Sequence, residues 1–551
     1  MIEYLREKQL WLVSVAVITV AGFYAPGFTG FWHGDDFPNL HRAYALTQQA
    51  TLWPDTFRLF IEAVPSEGAF YRPMMMLSLA LNHVLADAHY GGWYFVNFSV
   101  HLFNTLLVAL VVRRLAKHYG CDATFSAPFA ALLFGLCPTV AEGVYWMSAR
   151  ADGWVTLLSL AGVYAWAGPA ASALSAASAS SRSPFALPLL LIVALGFKES
   201  AAVVPLQLTL VAMVWQGRLS RSQRWALFAT FVVAGLFMAW RAFLFGNAWQ
   251  VYTPVATGSV ALPAKFWGAL LSFGPWWAAL GQATPLLATA YLACFTAGIV
   301  LFAFAGPVPT WRLALALAAA SGGLALATLL NLGAMSSLGE GGRLSYGPVA
   351  WLALAVGVFV SRPQSLHNQP ISRPLVTSAA SVAVAFALLT GTGVLWGHLR
   401  AAWTAQASMR NIALAVAPWA DNHPGLTMLM VPDHDGAIVM ARNAQGGLVL
   451  EPIQKQPYLH LVLPTLTSEI QLRQEQFSRG LARRLEIVRP RLVDAGTLMA
   501  ILDPAEAGWP KHVACWSKSQ QKIIPLPTPP MDASAEAWLA SIRIDIENCG
   551  R

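Results

Sequence analysis

Charge is the scarcest property of this chain. Of its 551 residues only 11% are Asp, Glu, Lys or Arg, against 56% hydrophobic, whereas a soluble domain carries roughly 25% charged residues. That shortage excludes an ordinary soluble globular protein. A net charge of +8 would suit nucleic acid if the basic residues were massed on one face. They are scattered in small groups at the ends of apolar runs, which excludes nucleic acid as a partner and fits the positive-inside pattern of a membrane protein. Fixed-period repeats are lacking, as are paired hydrophobic segments interrupted by Gly or Pro, the pattern by which many transporters show their internal symmetry. Cysteine is sparse too. Of the five present, Cys121, Cys137 and Cys294 lie in or beside apolar runs. Cys515 and Cys549 fall in a more polar region, where a disulfide in an oxidising compartment and two free thiols are both open.

What the chain has in abundance is long apolar segments. A membrane-spanning helix needs about 20 apolar residues, and on that criterion about eleven spans are predicted, near 10–28, 93–113, 126–141, 153–169, 185–197, 200–216, 225–245, 285–305, 312–332, 346–361 and 374–396. With a cytoplasmic N-terminus, Arg6/Lys8, Arg113/Arg114/Lys117, Arg182, Arg218/Arg221/Arg224, Arg312 and Arg362/Arg373 all fall on the inner side. The outer side receives nearly all the acids: Asp35, Asp36, Asp55, Glu62, Glu67, Asp87, Glu142, Asp152, Glu199 and Glu340. Asp122 is the sole acid of the inner loops beyond the first span. Residues 71–86 and 264–283 would break this parity if they crossed, so both are expected to lie in the outer interface, where Trp267, Trp276 and Trp277 suit the headgroup belt. The first span, with no small-residue cleavage site after it, is expected to be an uncleaved anchor.

The character changes after residue 397. Charges, Asn, Gln and Pro return, and the segment Leu426-Thr427-Met428-Leu429-Met430-Val431 before Pro432-Asp433 reads as a strand ending in a turn. The expected organisation is an α-helical polytopic membrane domain over 1–397, with a first external loop at about 29–92, followed by a soluble external α/β or α+β domain over 398–551. The Ala/Ser run at 168–183 reads as an internal loop.

Polar residues gather at the outer ends of the spans. The first external loop opens with Trp32-His33-Gly34-Asp35-Asp36-Phe37. In so apolar a chain, two adjacent carboxylates at a membrane surface suggest contact with water, a cation or a reacting proton, though they could equally cap a helix before Phe37-Pro38-Asn39. Tyr71-Arg72-Pro73 sits at a helix start, with Pro suited to the first turn. Asn97, His101 and Asn104 recur at helical spacing on the second span and form one polar stripe; a histidine so placed is as often hydrogen-bonded structure as chemistry. Glu142, Tyr145, Trp146, Arg150 and Asp152 follow the third span, and Lys198-Glu199 the fifth. Pairs among them could be structural, but their shared placement at one face argues for more. Arg343 and Tyr346 precede the tenth span and offer a phosphate-binding guanidinium and a phenol. Together these features describe a site for an amphiphile with an anionic head, such as a lipid phosphate. Arginines would hold the phosphate and a carboxylate would deprotonate a hydroxyl nucleophile.

The order of these motifs resembles the GT-C glycosyltransferase superfamily: an acidic pair after the first span, Tyr71-Arg72-Pro73 ahead of Asn97 and His101, Leu133-Phe134 to Glu142-Tyr145-Trp146 and Arg150-Asp152, Lys198-Glu199-Ser200, and Arg343, Tyr346 and Pro348. Within that superfamily the chain is most similar to the protein O-mannosyltransferase-like branch, over roughly residues 10–350. The part after 397 departs from it, because no tetratricopeptide repeat of about 34 residues is visible there. The resemblance implies an enzyme acting at the external face, with a polyprenyl-phosphate sugar as donor and a glycan, lipid or protein as acceptor. It implies Asp35 or Asp36 as general base, with the first member of the pair favoured, and Arg72, Arg150, Lys198 and Arg343 around the donor phosphate, with His101, Glu142, Glu199 and Tyr346 completing the substrate site. It names no required cofactor; some members use a divalent cation held by first-loop acids and others use none.

Two other classes compete. A lipid or oligosaccharide transporter or flippase would place its charges near mid-membrane, and an O-antigen ligase or polymerase would carry its large external loop late in the chain. Here the charges collect at one face and the acidic loop comes first, which favours a glycosyltransferase. The short internal loops point to a bacterial inner membrane, with the N-terminus cytoplasmic and the C-terminal domain periplasmic.

Overall fold

The computed structural model describes residues 2–32, 36, 39, 43, 46–47, 58–61, 71–86, 89–167, 186–215, 218–246, 310–329, 342–363, 427–430, 438–441, 512–517, 520 and 522–527, together with residues 391–393, 395–397, 399–400, 402–403, 406–407 and 410–411. These residues are mostly helical. The helices are α1 (Ile2–Tyr24), α2 (Pro73–Ala86), α3 (Tyr90–His118), α4 (Ser126–Gly135), the single turn α5 (Glu142–Tyr145), α6 (Arg150–Trp166), α7 (Ala186–Phe197), α8 (Val204–Met213), α9 (Arg221–Phe245), α10 (Trp311–Leu329) and α11 (Tyr346–Phe359). Short 3-10 turns at Ala25–Thr29, Pro138–Val140, Met147–Ala149, Glu199–Val203 and Gly342–Ser345 adjoin them.

Local chemistry sets the boundaries. α2 begins at Pro73, whose missing N–H costs nothing in a first turn. Pro205 plays the same part at the start of α8. α9 opens on a reciprocal cap: the Ser220 hydroxyl accepts from the Gln223 N–H while the Gln223 side chain accepts from the Ser220 N–H. It closes on Gly246 at φ +68°, a left-handed conformation that favours glycine.

Four of these segments are long and apolar enough to cross a bilayer: Gln9–Thr29, Tyr90–His118, Arg221–Phe245 and Gly342–Phe359. The chain is therefore an integral membrane protein. Nine of the predicted spans coincide with described helices, but several helices are shorter than the apolar run suggests. α7, with 12 residues, rises only about 18 Å against a hydrocarbon core of about 30 Å. The predicted span at 126–141 needs correction. Its helix stops at Gly135, resumes as a 3-10 turn at Pro138, and the two halves meet at 50°. Pro138 supplies the reason: it donates no N–H, and its ring excludes a straight continuation. The expected span at 285–305 and the expected interfacial helix at 264–283 lie outside the described residues, as do most of 374–396, the Ala/Ser run at 168–183, Glu340 and Cys549.

The chain forms two compact units. The first comprises residues 1–29, 53–78 and 91–401. In it α10 packs along α11, α6 along α7, and α4 against both α1 and α11. Small residues permit these approaches. A Cβ on Gly357 of α11 would stand 2.8 Å from Ala130 Cβ of α4 and 2.8 Å from Val112 Cγ2 of α3, and one on Gly135 would meet Val20 of α1 at 2.5 Å. At the opposite end from the site described below, a two-residue bridge pairs β1 (Cys121–Asp122) antiparallel with β2 (Arg362–Pro363).

The second unit comprises residues 30–52, 79–90 and 402–551. Gln406 ties parts of it together, donating from Nε2 to the Tyr90 hydroxyl at 3.2 Å and accepting the Phe31 N–H at 3.4 Å. Trp32 packs edge-on against Tyr90. Its sheet runs in the order β4-β3-β5-β6, from β3 (Thr427–Met430), β4 (Ile438–Ala441), β5 (His512–Ser517) and β6 (Lys522–Leu526). The segment read as a strand from its alternation is β3, which pairs parallel with β5 and antiparallel with β4.

Cys121 is buried beside the β1–β2 bridge, and burial, with the adjacent Asp122 carboxylate, pushes its thiol up to about 11. The thiolate is the reactive form. Cys121 in the folded protein should therefore resist maleimide at pH 7.5 and react within minutes after unfolding in denaturant, as mass spectrometry of the labelled chain would show.

Candidate functional site

A cluster of ion pairs occupies one end of the first unit, where the starts of α2, α6 and α11 meet the end of α7. Three cation–carboxylate pairs build it. Arg72, just before α2, grips Glu199 with two parallel bonds, Nη2 to Oε1 at 2.8 Å and Nε to Oε2 at 3.3 Å. Lys198, next to Glu199, places Nζ on both oxygens of Asp152 in the first turn of α6, at 2.6 and 2.8 Å. Arg343, in the 3-10 turn before α11, donates from Nη1 to Glu142 Oε1 at 2.9 Å and from its backbone N–H to Oε2 at 2.8 Å. Its guanidinium also lies over the Trp146 ring, 4.1 Å from the centroid.

The segment 142–152 is the hub. It supplies carboxylates to two of the pairs and, between them, Arg150, which is buried, donates from Nη1 to the Ser78 carbonyl at 3.3 Å and faces the Trp93 ring. The bend after Gly135 carries this segment away from the axis of α4. A charge in so apolar a surrounding persists only where an opposite charge and hydrogen bonds replace its water. The pairing explains how five sequence candidates, Arg72, Glu142, Lys198, Glu199 and Arg343, are held.

His101 and Tyr346 are also brought together, apart from the ion pairs. His101 Nδ1 is 2.7 Å from the Tyr346 hydroxyl and Nε2 is 3.1 Å from the Gly135 carbonyl. Asn104 Nδ2 reaches Tyr346 at 3.3 Å and the Gly153 carbonyl at 2.9 Å. Asn97, the third member of the polar stripe, donates to the carbonyls of Val144 and Trp146. The stripe thus fastens α3 to the hub segment and to α11. Gly143 makes room, since a Cβ there would stand 2.6 Å from the Tyr346 ring.

Asp36 is 2% exposed, lies on helical backbone and belongs to the second unit. Asp35 lies outside the described residues. A small chamber adjoins the Lys198–Asp152 pair, lined by Asp152, Thr156, Ser159, Ser200 and Gln207 among others. Gln207 Nε2 donates to the Ala320 carbonyl at 3.2 Å, and its buried Oε1 has no hydrogen-bond partner among the described residues. Glu142, Asp152 and Glu199 each bond a side-chain cation already, and among the described residues no three His, Cys, Asp or Glu side chains converge.

One cation escaped the sequence reading. Arg241, buried near the C-terminal end of α9, lies within electrostatic reach of both Glu199 and Arg72. A lone arginine inside the apolar run 225–245 was the available signal, since an ionisable group at membrane depth needs a partner.

No family model matches the chain, and no curated protein matches it. Among solved structures, the chain is similar to the crystal structure of ArnT from Cupriavidus metallidurans bound to undecaprenyl phosphate, with 13% sequence identity, 93% of each chain covered and a TM-score of 0.43. A likeness of that degree assigns no activity.

The Lys198–Asp152 pair has the least solvent of the three, each side chain 10% exposed. Asp152→Asn would leave a buried ammonium half-compensated and should destabilise the protein by about 3–5 kcal/mol. Replacing both partners, Asp152→Leu with Lys198→Met, should restore most of the loss. Thermal unfolding of the two variants in detergent checks both expectations.

Proposed function

We propose that this chain is a GT-C-type membrane glycosyltransferase that moves a sugar from a polyprenyl-phosphate donor to an acceptor hydroxyl at the external face of a bacterial inner membrane. The observation that carries this reading is the ion-pair cluster: guanidinium and ammonium groups from widely separated parts of the chain meet at one end of an apolar helix bundle. That placement suits a lipid phosphate, whose charge sits at the surface while its tail stays in the apolar phase. In this reading the membrane part is 1–397, and 398–551 is a periplasmic domain.

The reaction is an inverting displacement. Asp35 or Asp36 takes the proton of the acceptor hydroxyl, the acceptor oxygen bonds to the anomeric carbon, and the bond from that carbon to the phosphate oxygen breaks. The lipid phosphate leaves with the electron pair. Arg72, Arg150, Lys198 and Arg343 stabilise its growing charge, which lowers the barrier because the interaction is stronger in the transition state than with bound donor. Glu142 sets the position of Arg343, Glu199 holds Arg72 while no substrate is bound, and His101 and Tyr346 brace the helices that carry them.

Membranes carrying the wild-type chain should transfer radiolabelled sugar from a panel of polyprenyl-phosphate donors to added acceptors. A general base contributes about 10²–10⁴-fold, so Asp35→Asn or Asp36→Asn should reduce turnover by at least about 100-fold. Turnover reduced by neither substitution would reject the first-loop base. Lipid flipping without any sugar transfer would establish a transporter instead.

A further inference from the structure

Glu199 lies among three cations. Arg72 holds it directly, Lys198 precedes it in the chain but is paired with Asp152, and Arg241 on α9 lies within electrostatic reach. The contact with Arg72 uses the Nε–Nη2 edge, on which a guanidinium makes its two parallel bonds to an oxyanion, carboxylate or phosphate alike. Glu199 therefore occupies the position that a phosphate group would take on Arg72.

Two further features bear on this pair. Its carboxylate is the most exposed of the three, with 17% of the Glu199 side chain exposed against 10% for Asp152 and 6% for Glu142. Its backbone is also free of α-helix on both sides. Arg72 sits in the coil before Pro73, and Glu199 opens a 3-10 turn after Lys198, whose backbone is extended at φ −161° and ψ 141°. Separating the two side chains breaks no helical hydrogen bond.

We propose that Glu199 is the resting occupant of a phosphate site, displaced from Arg72 when the phosphate group of the lipid donor or product binds. This assignment rests on the glycosyltransferase reading. The carboxylate then serves two ends. It neutralises Arg72 while the site holds no substrate, and it competes with the product phosphate, so that the lipid leaves after transfer.

Binding of undecaprenyl phosphate to the full-length protein in nanodiscs tests the proposal, with wild type, Glu199→Gln and Glu199→Asp compared. Glu199→Gln keeps the shape and removes the competing charge, and should bind about tenfold more tightly, with slower dissociation. Glu199→Asp, one methylene shorter, should bind a few-fold more tightly, and it decides the matter if the Gln variant does not fold. A carboxylate with only a structural role would give the opposite: variants with lower thermal stability and weaker binding. Folded variants that bind no more tightly than a wild type that does bind would overturn the displacement role and leave the donor reading intact. A folded wild type that binds no polyprenyl phosphate would overturn the donor reading, and this role with it.

Discussion

Removing a charge from water is the constraint around which the first unit is organised. Nothing in a bundle this apolar repays the desolvation of an isolated guanidinium or ammonium, so each such group must meet an anion, a carbonyl or an aromatic face. Arg72 meets Glu199, Lys198 meets Asp152, Arg343 meets Glu142 and the Trp146 ring, and Arg150 meets the Ser78 carbonyl and the Trp93 ring. These obligations fix geometry as well as energy. Since Asp152 must reach the end of α7 and Glu142 must reach the turn before α11, the chain between them is held from both sides.

Much of the helical layout was legible because hydropathy measures the same property that the membrane selects. The apolar runs at 93–113 and 225–245 became α3 and α9 with little change beyond their ends. The run at 126–141 was misread for the same reason: a hydropathy window sums side chains and takes no account of the N–H missing at Pro138. Arg241 was absorbed into an apolar span by the same averaging.

The site was legible in its residues and illegible in its partnerships. Paired charges at span ends stand out from the sequence, but Arg72 and Glu199 are 127 positions apart, and Glu142 and Arg343 are 201 apart. Separations of that size are closed by tertiary packing, which no local pattern encodes. His101 shows the same division. Its spacing with Asn97 and Asn104 marked a polar stripe, yet only the fold reveals that both ring nitrogens are engaged, one by Tyr346 and one by the Gly135 carbonyl.

That carbonyl is available because α4 is interrupted. In an unbroken helix the Gly135 oxygen would accept the N–H of residue 139; the break frees it for His101 instead. A carbonyl can only accept, so Nε2 of a neutral ring must carry the hydrogen, which leaves Nδ1 as an acceptor for the Tyr346 hydroxyl. Tyr346 in turn accepts from Asn104. The hydrogens therefore run in one direction, from Asn104 through Tyr346 and His101 to Gly135. The interruption at Pro138 thus selects one tautomer of the neutral ring and ties this histidine to α4 as well as to α11.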